Sequence, residues 1–269
     1  MKIVKRGVLM GGLVRTRVLL LVMSLAFLSG CLETASIVKS LTEDTSDSES
    51  DSGPKLVEFE EAYYTFDEVV GGVYENLYDD FLEGEPFGVS VVDGKVNNGL
   101  YFDSSSTNYV RLNDYDGKSV TDMIFPDGEM SFEGWVKFES LDLATKYHFF
   151  GDQNTGVKSF KAEVVDGQFR VIIYDWSDTT ELVRTSYVFG LDTWYHIAFT
   201  FDGVNSRFYI DGALNNSATV SGALSRVGND LYIGGGHGMN TFPGYIDEFG
   251  YYSRELTAVE VAASYNANK

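Results

Sequence analysis

One cysteine, three histidines and four prolines among 269 residues leave several classes of protein without their raw material. With Cys31 alone, no disulfide can close within the chain, and no Cys/His set has the spacing of a zinc site. None of His148, His196 and His237 accompanies a nucleophile-elbow motif, so a Ser-His-Asp hydrolase lacks its parts. Long apolar runs are missing too: Val18–Gly30 falls well short of the ~20 residues that cross a bilayer as a helix. Basic residues are scarce, 20 Lys and Arg against 40 Asp and Glu, and they form no patch. A surface of that sign repels nucleic acid, heparin-like glycans and bare anionic headgroups. No repeat with a period of roughly 20–50 residues is present.

The few basic residues are unevenly placed. Lys2, Lys5, Arg6, Arg15 and Arg17 precede the apolar run Val18–Leu28, with no acidic residue before Cys31. This is the charged, apolar and small-residue order of a secretory leader. Leu28-Ser29-Gly30-Cys31 resembles the lipobox of prokaryotic lipoproteins. The resemblance implies cleavage before Cys31 and acylation of its thiol, which would hold the protein on a membrane through several buried chains. Leu32 stands where an aspartate retains enteric-type lipoproteins in the inner membrane, so an outer-membrane or cell-surface location in the envelope is expected. Loss of residues 1–30 removes five of the 20 basic residues and none of the 40 acidic ones, leaving a net charge of −25.

Residues 31–54 include LTEDTSDSESDSG, which has too little apolar surface to offset the entropy of ordering, and are expected to form an acidic disordered tether. From residue 55 onward Tyr, Phe, Val and Gly dominate. Asp-Gly pairs begin at Asp93, Asp116, Asp127, Asp166, Asp202 and Asp211 and mark turns, since both residues tolerate positive φ. Lys161–Val165 with Gln168–Tyr174, and Arg207–Ile210 with Ala213–Ala218, are expected to be two-residue hairpins. Along Trp194–Phe201 the alternation sends Trp194, His196, Ala198 and Thr200 to one face and Tyr195, Ile197, Phe199 and Phe201 to the other. Tyr101–Phe102, Tyr109–Leu112, Met130–Phe138, Tyr147–Gly151, Leu231–Gly234 and Gly244–Tyr251 read as further strands, and Thr257 to Glu260 fits the capping box of one short helix. Closely spaced strands without alternating helices predict an all-β, two-sheet antiparallel sandwich over residues 55–269.

Five segments in order, Tyr63–Glu68, Asn97–Leu112, Met130–Phe138, Trp194–Gly212 and Leu231–Leu256, resemble concanavalin A-like, laminin G-type jelly-roll domains. The resemblance implies two stacked antiparallel sheets. It also implies that loops or a concave face bind glycans or proteins, often beside a structural calcium. The same architecture hosts glycoside hydrolases, whose paired carboxylates sit at alternating positions of one strand. No such triad occurs here, and Asp247 and Glu248, adjacent in a strand, are expected to face opposite sides. Catalysis is therefore not expected.

Calcium takes oxygen ligands, and Asp247 in the last long strand, Asp67 in the first and Asp103 are its candidate ligands. The opposing reading of each is a surface carboxylate or one bonded to loop amides. For a glycan, Trp176 at the end of a hairpin strand and His237 and Asn240 on a Gly-rich loop are the candidate contacts. Trp135 and Trp194 read as core, and His196 as a structural strand residue. The expected function is a membrane-anchored, non-catalytic module for glycan or a surface protein. The alternative is an envelope assembly protein without a sugar site, and a divergent glycosidase is a third reading.

Overall fold

The computed structural model describes residues 61–78, 82–103, 108–114, 128–152, 159–175, 178–220, 231–236 and 239–269. Cys31, Asp116, Asp127, Trp176 and His237 lie outside them. The strands, in chain order, are β1 (Glu61–Tyr64), β2 (Leu82–Phe87), β3 (Ser90–Asp93), β4 (Asn98–Asp103), β5 (Tyr109–Asp114), β6 (Met130–Phe138), β7 (Tyr147–Asp152) and β8 (Ser159–Val165). They continue with β9 (Gln168–Asp175), β10 (Asp178–Arg184), β11 (Trp194–Phe201), β12 (Asn205–Ile210), β13 (Ala213–Thr219), β14 (Leu231–Ile233) and β15 (Pro243–Tyr252), before helix α1 (Ala258–Ala267).

These strands form two antiparallel sheets. The larger runs β13-β12-β11-β6-β15-β4-β3, with β1 also paired to β15, and the smaller runs β10-β9-β8-β7-β14-β5-β2. The fold is a two-sheet jelly-roll sandwich with one short C-terminal helix. Its interior is filled largely by phenylalanine: the Phe132 ring lies 5.3 Å from Phe199 on the neighbouring strand and 5.5 Å from Phe150 of the opposite sheet. Such stacked and edge-on pairs contribute beyond the area that each ring buries.

Both expected hairpins form. Asp166 and Gly167 (φ 53° and 75°) and Asp211 and Gly212 (φ 50° and 75°) put two successive residues in the left-handed region, the geometry that matches the twist of paired strands. The alternation of Trp194–Phe201 holds as well, with Tyr195, Ile197, Phe199 and Phe201 in the core cluster. Strands β2, β3 and β10 are additions to the strands read from the sequence, and all three lie at sheet edges. An edge strand has one unpaired side and carries charge or proline, which obscures its pattern: β2 reads LEGEPF and β10 reads DTTELVR.

Two features shape the outer face of the larger sheet. Helix α1, capped by Thr257 through a complete capping box with Glu260, lies on that face and buries only Val261 fully. A small outer cluster of Ala198, Tyr209, Tyr252, Leu256 and Val261 lies there, separate from the main core. The second feature is a bulge in β15, where the register to β6 shifts between Asp247 and Gly250 and Glu248 takes φ 51°. The bulge divides β15's other edge between two partners: β4 pairs with Pro243–Ile246 and β1 with Phe249–Tyr252.

Candidate functional site

The outward phase of β6 is Ser131, Glu133, Trp135 and Lys137, and that of β11 is Trp194, His196, Ala198 and Thr200. Register aligns these residues into rows across the sheet. One row places Tyr101 of β4, Tyr245 of β15, Lys137 of β6 and Trp194 of β11 side by side. All four are half-buried. Tyr245 lies 5.0 Å from Tyr101 and 6.2 Å from Trp194, ring to ring, and the Lys137 ammonium sits 3.9 Å from the Tyr245 ring. The Tyr101 hydroxyl donates to Glu139 Oε2 at 2.6 Å. At the usual strand spacing the row spans roughly 14 Å.

The next rows lead beneath α1 into a cavity of about 140 Å³ lined by Tyr63, Glu133, Trp135, His196, Glu248, Ser264, Ala267 and Asn268. Its residues come from five elements: β1, β6, β11 and β15 supply the floor and α1 the roof. Glu133 Oε1 accepts from the Tyr252 and Ser264 hydroxyls, both at 2.9 Å. Its other oxygen, Oε2, has no hydrogen-bond partner and lies 3.6 Å from His196 Nε2. Burial pushes the Glu133 carboxyl up to about 7 against the lowering effect of those two hydroxyls. Burial also lowers His196 to about 4, so the imidazole is neutral at pH 7 and the pair is not an ion pair. Glu248 is raised, first by burial, and accepts from the Tyr63 hydroxyl. Trp135 Nε1 and His196 Nδ1 also have no partner, and the Lys95 ammonium stands 4.4 Å from the Trp135 ring.

Beside the cavity, Asp247 is fully buried and holds the β3–β4 turn. Its Oδ2 accepts from the amides of Lys95 (2.7 Å) and Val96 (2.9 Å), and its Oδ1 from Glu248 N (2.8 Å). Burial still raises Asp247 to about 7. Asp67 Oδ1 accepts from Asn98 N, the first amide of β4 just past that turn, at 3.0 Å. Asp67 and Asp247 therefore do meet around one turn, as the pairing of the first and last strands implied. Amide hydrogens take the positions a cation would compensate. Asp103 Oδ1 accepts from the side-chain amide of Asn108. Among the described residues no group of three Asp, Glu, His or Cys side chains could hold a metal, and this donor set does not fit calcium.

Four expectations need correction. Asp67 lies just past β1 and not within it, because Phe66 turns the chain at φ 59°. Asp247 and Glu248 do not face opposite sides. Asp247 pairs with outward Trp135, while Glu248 meets Tyr63, whose neighbours Ala62 and Tyr64 face the core. The extra residue of the bulge cancels the alternation. Trp135 is buried, but on the outer face beside α1, where it lies 5.7 Å from Tyr265. Trp194 is half-buried on that same face and not core.

Asn240 lies apart from both the row and the cavity. Its side chain donates to Lys146 O at 3.1 Å and its carbonyl accepts from His148 N at 2.9 Å, tying its loop to β7. Glu133, Glu248 and Tyr63 were not among the sequence candidates. The outward phase Ser131-Glu133-Trp135-Lys137 in an otherwise apolar strand is the signal that could have found Glu133. Nothing in the local sequence announces the bulge that turns Glu248.

A family model described as the concanavalin A-like lectin/glucanases superfamily matches residues 104–262. No curated protein sequence matches the chain. Solved structures share the fold at low identity. The binding domain of Paraclostridial Mosquitocidal Protein 1 is 17% identical at a TM-score of 0.61, the match covering 78% of this chain and 52% of that one. Domain 4 of AbnA, a GH43 extracellular arabinanase from Geobacillus stearothermophilus, in complex with arabinotriose, is 21% identical at 0.60, covering 77% and 98%. A structure of botulinum neurotoxin type C, whose cell entry depends upon interaction with two ganglioside molecules, is 10% identical at 0.60, covering 77% and 51%. This chain thus spans about half the length of the toxin structures and nearly all of the arabinanase domain.

Proposed function

Because the chain belongs to the concanavalin A-like lectin/glucanases superfamily, we propose that it is a lipid-anchored, extracytoplasmic module that binds glycan on the outer face of its larger sheet without catalysis. The observation that carries this reading is the row Tyr101, Tyr245, Lys137 and Trp194. Half-exposed rings in line across four strands offer stacking faces to successive sugars, while Lys137 and Glu139 can meet hydroxyls. Arabinotriose on the arabinanase domain and gangliosides with the type C toxin support glycan as the ligand class. In this scheme residues 1–30 are the leader, Cys31 carries the lipid, residues 31–54 are the tether and the sandwich begins at residue 55.

Absence of catalysis is supported by the size of the carboxylate cavity. Its volume of about 140 Å³ lies below the roughly 300 Å³ at which ligand pockets begin. A glycosidase must hold sugar on both sides of the bond between its two carboxylates.

One observation favours the assembly reading. Val188 and Leu143, both more than half exposed, come within 2.9 and 3.1 Å of where a Cβ on Gly167 would stand, so they form one apolar patch around that hairpin. Tyr187 and Leu191 are exposed close by in sequence. A patch of this kind suits a protein partner.

The deciding experiment is a glycan array probed with the full chain and with Trp194→Ala and Tyr245→Ala. Binding to a defined set of glycans that both variants lose supports the reading. Silence from a folded wild-type chain, together with a stable complex that Val188→Asp disrupts, would replace it with assembly.

A further inference from the structure

We propose that the cavity roofed by α1 binds a small amino alcohol, its ammonium held by Glu133 and Glu248 and its hydroxyl accepting from the Trp135 indole N–H. This inference does not rest on the glycan reading, and the site is separate from the aromatic row.

Three of the residues lining the cavity each carry a buried polar atom with no partner: Glu133 Oε2, Trp135 Nε1 and His196 Nδ1. They belong to residues only 2%, 3% and 2% exposed. A buried polar group left unpaired costs about 1–3 kcal/mol, and native interiors rarely leave several together. The charges select the ligand. The cavity presents two carboxylates and a neutral imidazole, and no lysine or arginine lines it, Arg254 acting on Glu133 from outside the lining. Lys95, the cation nearest Trp135, sits over the indole ring. A ligand ammonium would supply a positive charge to the two carboxylates, with the Tyr63 ring as further cation-binding surface. A purely cationic ligand would leave the indole N–H unpaired, whereas a neighbouring hydroxyl oxygen can accept from it. The cavity has room for about four or five water volumes at ~30 Å³ each, which suits an ammonium with a short hydroxylated arm. At the end of α1, Ala267 is exposed and Asn268 half-buried, and both line the cavity.

The test is calorimetric titration of the full chain with ethanolamine near pH 8. Ethylammonium and ethylene glycol serve as comparators that each lack one of the two groups. Glucosamine, run alongside, separates a free amino alcohol from an amino sugar. Saturable ethanolamine or glucosamine binding that exceeds both comparators and weakens at least tenfold in Glu133→Gln supports the proposal. Glu248→Gln provides the same reading if the first variant does not fold. A folded chain that shows no saturation holds only water in the cavity and overturns it. Ethylene glycol binding as well as ethanolamine, or Glu133→Gln binding as well as wild type, overturns it too. Trp194→Ala is expected to leave the titration unchanged, so failure of the glycan reading is seen separately.

Discussion

Glu133 Oε2 and His196 Nε2 face each other across adjacent strands at 3.6 Å, both side chains almost wholly buried, and burial moves their proton affinities in opposite directions. Tyr252, Ser264, Arg254 and Glu260 complete the surroundings of Glu133.

The pair makes stability respond to pH through two opposing slopes. Glu133 titrates at about 7 in the fold against 4.5 ordinarily, so the native state binds the extra proton in that window and stability falls as pH rises through it. His196 titrates at about 4 against 6.5, so the unfolded chain binds the extra proton and stability rises with pH across that window. Asp247 and His148, raised to about 7 and lowered to about 3, oppose each other in the same way. Thermal melts from pH 4 to 7 are therefore expected to tilt oppositely in two variants relative to wild type, upward with pH in Glu133→Gln and downward in His196→Gln. Parallel curves for all three proteins would exclude buried titration of this pair.

Asp247 carries the β3–β4 turn. Asp247→Ala strands the amides of Lys95, Val96 and Glu248, and unfolding in urea should show a loss of about 3 kcal/mol. Asp247→Asn keeps one acceptor oxygen and should lose roughly half as much. A loss within the ~0.5 kcal/mol of an ordinary surface change for the alanine variant would mean that those amides have other partners.

The roof buries little of its own surface. With Val261 its one fully buried residue, α1 depends on the cap, and Thr257→Ala is expected to cost about 1 kcal/mol. Hydrogen exchange should speed up roughly fivefold in α1 while β6 and β11 amides keep their protection. Equal acceleration in helix and sheet would show that α1 opens only with the whole domain.

Attachment is predicted to hang on a single atom, the Cys31 sulfur. Cys31→Ser expressed in a bacterial host should move from the membrane to the soluble extracytoplasmic fraction without change in the melt of the folded domain. A serine variant that stays with the membrane would place the anchor elsewhere.

Much of the fold was legible because local and global preferences agree. Trp194–Phe201 alternates without interruption, and Asp166-Gly167 and Asp211-Gly212 meet the backbone demands of their turns. Legibility failed at sheet edges, where β2 and β10 carry polar residues and proline. It failed again on the outer face. Trp135 and Trp194 read as core from their strand motifs, but both stand on the outer face, where a helix more than a hundred residues away in sequence packs beside Trp135. Glu248 points outward because of a bulge imposed by tertiary pairing, at a φ of 51° that glutamate disfavours. The carboxylate cavity depends on both tertiary events, so no single motif encodes it.

The seat of β1 on β15 also has a bearing on how the chain reaches its fold. Tyr63 and Glu248, joined across that pairing, are 185 residues apart in sequence. Closing so long a loop is entropically slow. During synthesis from the amino terminus β1 emerges first and must wait, unpaired, until its partner strand has left the ribosome. Its residues Ala62 and Tyr64, which end in the core, stay unprotected in that interval, the kind of exposed apolar strand that invites aggregation.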